Sequence, residues 1–351
     1  MRNIALKAMY AIAVSTISSV CLVALAQGNA SPSVDFQPGP AAEYVKQDIP
    51  LGTGPFPAVM LSDPGLLSHT LYQPANLQSL NVEKLPVVVW GNGACVNTGN
   101  RFRQFLIEIS SHGFLVIALG PIGPAEAESS ISGRLAAGTP AEGSPAALLA
   151  KAGRLGPIPA TGMLPGAFTT ANQFADAIDW AFSENIREGS LLKNKIDIDN
   201  IAVMGQSCGG VQAIDAARDP RVKTLGVWNS GLFPDAKRMW PVAAARVRKE
   251  DIPLLKVSAI YVTGAPTDVA YKNADDDFER FVGVPVVRAW REKTGHSGTY
   301  RETLGGDFSP VAVAWLKWQL KGHKDASKMF VGADCGICQK SDWHIRKKNI
   351  D

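Results

Sequence analysis

Residues 200–214 constrain the fold more than any other stretch. The apolar run Ile201-Ala202-Val203-Met204 ends at Gly205, and small, helix-compatible residues follow Ser207. Between them, Gly205-Gln206-Ser207-Cys208-Gly209 fits G-x-S-x-G, a sharp strand-to-helix turn that lifts a serine hydroxyl out at the end of a sheet. The glycines answer a steric need, because side chains two residues either side of the strained serine would clash. The pentapeptide alone also fits an ordinary glycine-rich turn. Its weight comes from the strand before it, the helix after it, and the same alternation elsewhere in the chain.

Leu85-Pro86-Val87-Val88-Val89-Trp90 has the uninterrupted, β-branched character of a strand buried on both faces. It runs into the loop Gly91-Asn92-Gly93-Ala94-Cys95. Phe102, Phe105, Leu106 and Ile109 then recur at helical spacing, with His112 and Gly113 closing that helix. Further strands are predicted at 57–61, 69–72, 114–119, 222–228, 258–263 and 284–290. The capping box Thr170-Ala171-Asn172-Gln173 opens a helix with Phe174, Ile178, Ala181 and Phe182 on its apolar face. Asp275, Asp276 and Asp277 are expected to begin a helix that includes Phe278 and Phe281. Ser309 is expected to cap the last helix, with Pro310 in its first position. Strands alternating with helices predict an α/β fold with a mostly parallel central sheet and helices on both faces.

This pattern fills one domain, 57–322, with no internal repeat. Residues 27–56 are expected to form an extended arm. Residues 120–168 are rich in Gly, Pro, Ala and Ser, with one short helix predicted at 146–152. They read either as a lid-like insert bordering a site or as a variable surface excursion. Residues 323–351 read as a tail outside the domain, carrying Cys335-Gly336-Ile337-Cys338.

The composition, 46% hydrophobic and 19% charged over 351 residues, is that of a globular protein. The formal charge of +3 comes without a basic stripe, so nucleic acid is not an expected partner. Residues 1–26 read as a signal peptide, with Arg2 and Lys7 before an apolar stretch and Ala24-Leu25-Ala26 as cleavage site. An uncleaved membrane anchor is the alternative. Cleavage lowers the formal charge from +3 to +1 and leaves no span. A secreted or periplasmic protein is the expectation. The remaining Cys95, Cys208, Cys335 and Cys338 form an even set, which suggests two disulfides.

A serine hydroxyl needs a base to take its proton, and the base needs an orienting acid. Of the histidines, His69 falls in a strand, His112 at a helix end, and His323 and His344 beyond the last long helix. His296 lies between the last strand and that helix and follows Ser207 in the order serine, acid, histidine. Asp268, just past the strand ending at Thr263, is the favoured acid, and Asp235 the second candidate. A tetrahedral intermediate needs two N–H donors. Cys208 supplies one, and Asn92 or Gly93 the other. No cofactor or metal is expected. A redox pair or half a zinc site at Cys335 and Cys338, with His323 and His344, ranks below a structural disulfide.

Together these residues resemble the α/β-hydrolase superfamily. Within it they are most similar to secreted esterases of the polyester hydrolase, chlorophyllase and platelet-activating-factor acetylhydrolase-like group. The resemblance runs from about Ala58 to Gly322 and rests on Val87 to Gly93, Gly205 to Gly210, Asp268 and Gly295-His296-Ser297-Gly298. It implies Ser207 as nucleophile, Asp268 as acid, His296 as base, and Asn92 or Gly93 with Cys208 as oxyanion donors. The substrate would be a small-molecule or polymeric ester. The chain departs from the group at Trp90, where many members carry histidine, at Cys208, where methionine is frequent, and in the length of 120–168. If this fold holds, the Cys95 and Cys208 loops lie at the ends of neighbouring strands, close enough to bridge. Two buried free thiols are the alternative. A non-catalytic scaffold of the same fold, a serine peptidase or an acyltransferase would share these residues.

Overall fold

Val87, Val88, Val89 and Trp90 are all fully buried, so the strand they form must be covered on both faces. The computed structural model describes residues 49–80, 83–123, 168–234 and 245–350, with the backbone of Glu43–Tyr44. In it that strand lies near the middle of a ten-stranded sheet. The strands are β1 (Glu43–Tyr44), β2 (Ala58–Ser62), β3 (His69–Pro74), β4 (Leu85–Gly91), β5 (Leu115–Leu119), β6 (Ile196–Gln206), β7 (Val222–Trp228), β8 (Ser258–Thr263), β9 (Val286–Arg291) and β10 (Trp343–Lys348). Their order is β1-β2-β3-β5-β4-β6-β7-β8-β9-β10. From β5 to β9 the neighbours are parallel. The three pairings at the first edge and the one at the last are antiparallel.

The helices are α1 (Arg103–Ser111), α2 (Asn172–Ile186), α3 (Cys208–Ala216), α4 (Tyr271–Arg280), α5 (Phe308–Lys321) and the single turn α6 (Lys324–Ser327). Side chains alternate across a strand, and two cores result. Val87, Val89, Ile201 and Val203 pack with Phe174, Ile178, Val211, Ile214 and Phe278 of α2, α3 and α4. Val88, Trp90, Ala202 and Met204 pack with Phe105, Ile109, Val311 and Trp315 of α1 and α5. Each such Val, Ile, Met or Phe side chain contributes about 1.5–3 kcal/mol by leaving water.

Three expectations need correction. α5 begins at Phe308, one residue before Ser309. Its first turn is fixed from outside, since the Phe308 N–H donates to Thr299 Oγ1 at 3.0 Å, while Ser309 is buried within the helix. α4 runs from Tyr271 to Arg280, so the three aspartates fall in its middle and Phe281 lies just past its end. There each meets a cation: Asp275 meets Arg288 at 2.9 Å, and Asp276 and Asp277 both meet Lys249 at 2.7 Å. The C-terminal segment is not outside the sheet. β10 pairs with β9 along its whole length, and Phe330, Cys335 and Ile337 are buried in the α5 core. Its sequence, Trp-His-Ile-Arg-Lys-Lys, hides the strand, because an edge strand carries charges outward.

Of the arm, Thr53 and Phe56 bond Glu108 and Ser111 of α1. Residues 1–26, the helix predicted at 146–152, Asp235 and the insert apart from 120–123 and Phe168 lie outside the described residues.

His69 is fully buried in β3, with Nδ1 at 2.9 Å from Ser68 Oγ and Nε2 at 2.9 Å from the Gln173 carbonyl. Burial lowers its pKa from 6.5 to about 4. The unfolded chain therefore takes up this proton first as pH falls. The stability His69 contributes is present above about 6.5 and is lost as pH falls towards 4, amounting to about 3 kcal/mol. Between pH 7 and 4, wild type is expected to lose that much more unfolding free energy than His69→Asn. Equal slopes in urea titrations would contradict this.

Candidate active site

Ser207 sits between β6 and α3 at φ 52° and ψ −119°. A non-glycine residue reaches such a conformation only at a cost, so the surroundings must impose it. Its N–H donates to the Trp228 carbonyl at 3.0 Å, and Ser230 Oγ donates to its carbonyl at 2.6 Å. Neither motif glycine has room for a side chain. A Cβ at Gly205 would lie 2.3 Å from the Gly209 carbonyl oxygen, and a Cβ at Gly209 would lie 2.1 Å from the Gly91 carbonyl carbon. The turn therefore closes backbone to backbone against the end of β4.

Ser207, His296 and Asp268 come together at the carboxyl ends of β6, β9 and β8. His296 Nε2 is 2.9 Å from Ser207 Oγ, and Nδ1 is 2.7 Å from Asp268 Oδ1. With Nδ1–H donating to the carboxylate, Nε2 presents its lone pair to the serine hydroxyl. Asp268 is buried. Its Oδ1 also accepts from the Ala270 N–H at 2.9 Å, and its Oδ2 from Asn229 Nδ2 at 2.8 Å and the Gly264 N–H at 3.1 Å. Burial by itself raises this carboxyl, but His296 first, then the Ala270 N–H and Asn229, hold it below the usual carboxylate range. The anionic form is the one these donors favour.

The loop after β4 makes a 3₁₀ turn, Gly93–Cys95. Ala94 and Cys95 both have positive φ, 54° and 49°, which costs about 1–2 kcal/mol per residue. Cys95 is bonded to Cys208, with Cα atoms 5.2 Å apart. Cys335 is bonded to Cys338. The free-thiol alternative for Cys95 and Cys208 is thus set aside. The first bond joins the loop to the residue after Ser207. Asn92 is buried, and its side chain donates to the carbonyls of Val96, Thr98 and Leu119. That side chain holds the loop's shape from inside. Gly93 faces the elbow, the strand-to-helix turn that carries Ser207, since a Cβ there would lie 1.9 Å from Gln206 Oε1.

Gln206 and Asn229 escape a reading of sequence. Gln206 donates from Nε2 to the His296 carbonyl at 3.0 Å, so one side chain spans the β4 loop and the histidine loop. The second position of G-x-S-x-G is open to any residue and carries no chemical signal that could have shown this. Asn229 follows β7, and in the sequence 227–231 reads only as the approach to Asp235. A polar residue directly after a buried strand, level with the elbow, was the available clue.

Cys335 and Cys338 are oxidised, so neither offers a thiolate to a metal. Among the described residues no group of three or more His, Cys, Asp or Glu side chains is placed to hold a metal ion, and no helix is long and apolar enough to cross a membrane. The chain matches no model of a known protein family, and a comparison with curated proteins returns no match.

Proposed function

We propose that this chain is a serine hydrolase of the α/β-hydrolase fold, cleaving carboxylic esters through an acyl-enzyme. The observation that carries the proposal is the continuous hydrogen-bonded chain Ser207–His296–Asp268 on a strained strand-to-helix turn. Ser207 Oγ attacks the ester carbonyl carbon as its proton passes to His296 Nε2. The carbonyl oxygen takes up negative charge, and the Cys208 N–H with that of Gly93 or Asn92 stabilises it. The tetrahedral intermediate collapses, the ester C–O bond breaks, and the alcohol leaves with the proton from His296. Water then attacks the acyl-Ser207 carbonyl, giving its proton to His296, and the acid departs as Ser207 regains its hydrogen. Asp268 stays ionised and stabilises the imidazolium throughout. The apolar N-terminal stretch and the two disulfides support export to an oxidising compartment.

The test pairs a p-nitrophenyl ester series, from acetate to long-chain acyl, and a polyester film with a fluorophosphonate probe. Hydrolysis of at least one ester and a single phosphonyl adduct on the Ser207 peptide are expected. A folded protein that is neither labelled nor active on any of these substrates would refute the proposal.

A further inference from the structure

Asn229 is fully buried at the carboxyl end of β7. Its φ is +41°, a region asparagine enters more readily than most side chains. Its N–H donates to the Val262 carbonyl at 2.7 Å, which fixes the residue between β7 and β8. The side-chain Nδ2 then donates to two groups. One is Asp268 Oδ2 at 2.8 Å, and the other is the Gly295 carbonyl at 3.2 Å. Gly295 is the residue before His296, so a single amide touches both the triad carboxylate and the peptide that carries the imidazole.

The other end of that amide is held as well. Asn229 Oδ1 accepts from the Tyr300 hydroxyl at 2.5 Å. The Tyr300 ring is fully buried among Trp90, Phe105, Trp228 and Phe308, at centroid distances of 5.2–6.5 Å. Burial, and after it the charge of Asp268, raises the Tyr300 phenol well above its ordinary value. The hydroxyl therefore keeps its proton and remains a donor. Carboxylate and carbonyl on one side accept only, and the phenol on the other donates, so the amide has one satisfactory orientation.

We propose that Asn229, locked by Tyr300, is a positioning residue for the triad. It fixes the direction of the Asp268–His296 hydrogen bond and, through it, the reach of Nε2 to Ser207. The proposal rests on the hydrolase reading for its kinetic consequence. Small misplacements of reacting groups are costly, about a hundredfold in rate per ångström. Loss of the amide is expected to appear in kcat, because a fully buried side chain is out of a substrate's reach.

The test uses Asn229→Ala and the near-isosteric Tyr300→Phe in the full chain, with wild type alongside. Asn229→Ala is expected to lower kcat, and the rate of fluorophosphonate labelling at Ser207, by about a hundredfold with KM within threefold. Tyr300→Phe, which keeps the ring packing, should move both in the same direction by about tenfold. In proton NMR, the low-field resonance of the His296 Nδ1–H should shift or exchange-broaden in both variants. Folded variants with kcat and this resonance unchanged would overturn the proposal. If Asn229→Ala does not fold, Tyr300→Phe decides by the same two readings. A wild type that neither hydrolyses esters nor takes the label would defeat the hydrolase reading instead, and the resonance would still test the positioning role.

Discussion

Ser207→Ala is expected to fold like wild type and to lose at least about a thousandfold in kcat on every ester the wild type cleaves. The change removes one oxygen atom. It leaves intact the Ser207 N–H bond to Trp228 and the Ser230 bond to the Ser207 carbonyl, both of which use backbone atoms. Stability should therefore change little. His296→Ala should lose a comparable factor, because the hydroxyl is a weak nucleophile without a proton acceptor at 2.9 Å. The two effects should not add. Once either partner is missing the other has no task, so the double variant should match the single ones within tenfold. Residual rates above water would then report the β4 loop and the Cys208 N–H alone. Steady-state kinetics on one chromogenic ester, with circular dichroism to confirm folding, would measure all three. A His296→Ala enzyme within tenfold of wild type would exclude His296 as the base.

The largest expected loss of stability lies some way from the serine, at Lys249. Its ammonium is buried against Asp277 Oδ1 and Asp276 Oδ2, both at 2.7 Å, and the Asn273 carbonyl at 3.1 Å. Asp277 is fully buried, and its Oδ2 accepts the Leu232 N–H at 2.8 Å. Burial pushes the Asp277 carboxyl up to about 6 even with the lysine beside it. Lys249→Met would keep the chain's volume and leave that carboxylate with no counter-charge at its Oδ1. Breaking a buried pair in this way costs about 3–5 kcal/mol. The loss should depend on pH with a definite sign. A carboxyl whose folded pKa is raised favours folding when protonated, so the variant should regain stability as pH falls through the folded value and lose it as pH rises. Urea melts of Lys249→Met at pH 5 and pH 8 would measure this. A loss below about 1 kcal/mol at pH 8, or one that does not shrink in acid, would count against the account given for Lys249.

Much of the sheet was legible because its signal is local. Runs such as Val87-Val88-Val89 and Leu115-Val116-Ile117-Ala118-Leu119 are apolar on both faces, and only a covered strand tolerates that. Ser207, His296 and Asp268 could be picked out because each closes or follows such a run, in an order the chain preserves. The residues around them could not. Asn229, Tyr300 and Gln206 make contacts 39–90 positions away in sequence, and nothing in their immediate neighbours encodes the partner. β10 was hidden for a different reason. A solvent-facing edge strand is selected for charge as much as for apolar alternation, and Arg346 and Lys348 answer Glu279 across the surface. The α4 aspartates misled because acids near a helix start are common, whereas here they meet Lys249 and Arg288 from other elements.

The bond between Cys95 and Cys208 spans 113 positions and turns that length of chain into a covalent ring. The ring holds α1, β5, α2 and β6, and residues 124–167 belong to it. Closing a loop of this size restricts the unfolded chain by about 4–5 kcal/mol in the entropic account. It also changes what a cut means. A protease that hydrolyses one peptide bond anywhere between the two cysteines opens the ring and releases nothing. β4 and its loop remain joined to the elbow by sulfur, so the two sides of the site cannot diffuse apart. Tolerance of a single nick is then a property of the chain's connectivity, held whether or not the cut bond was shielded, and it ends when the disulfide is reduced.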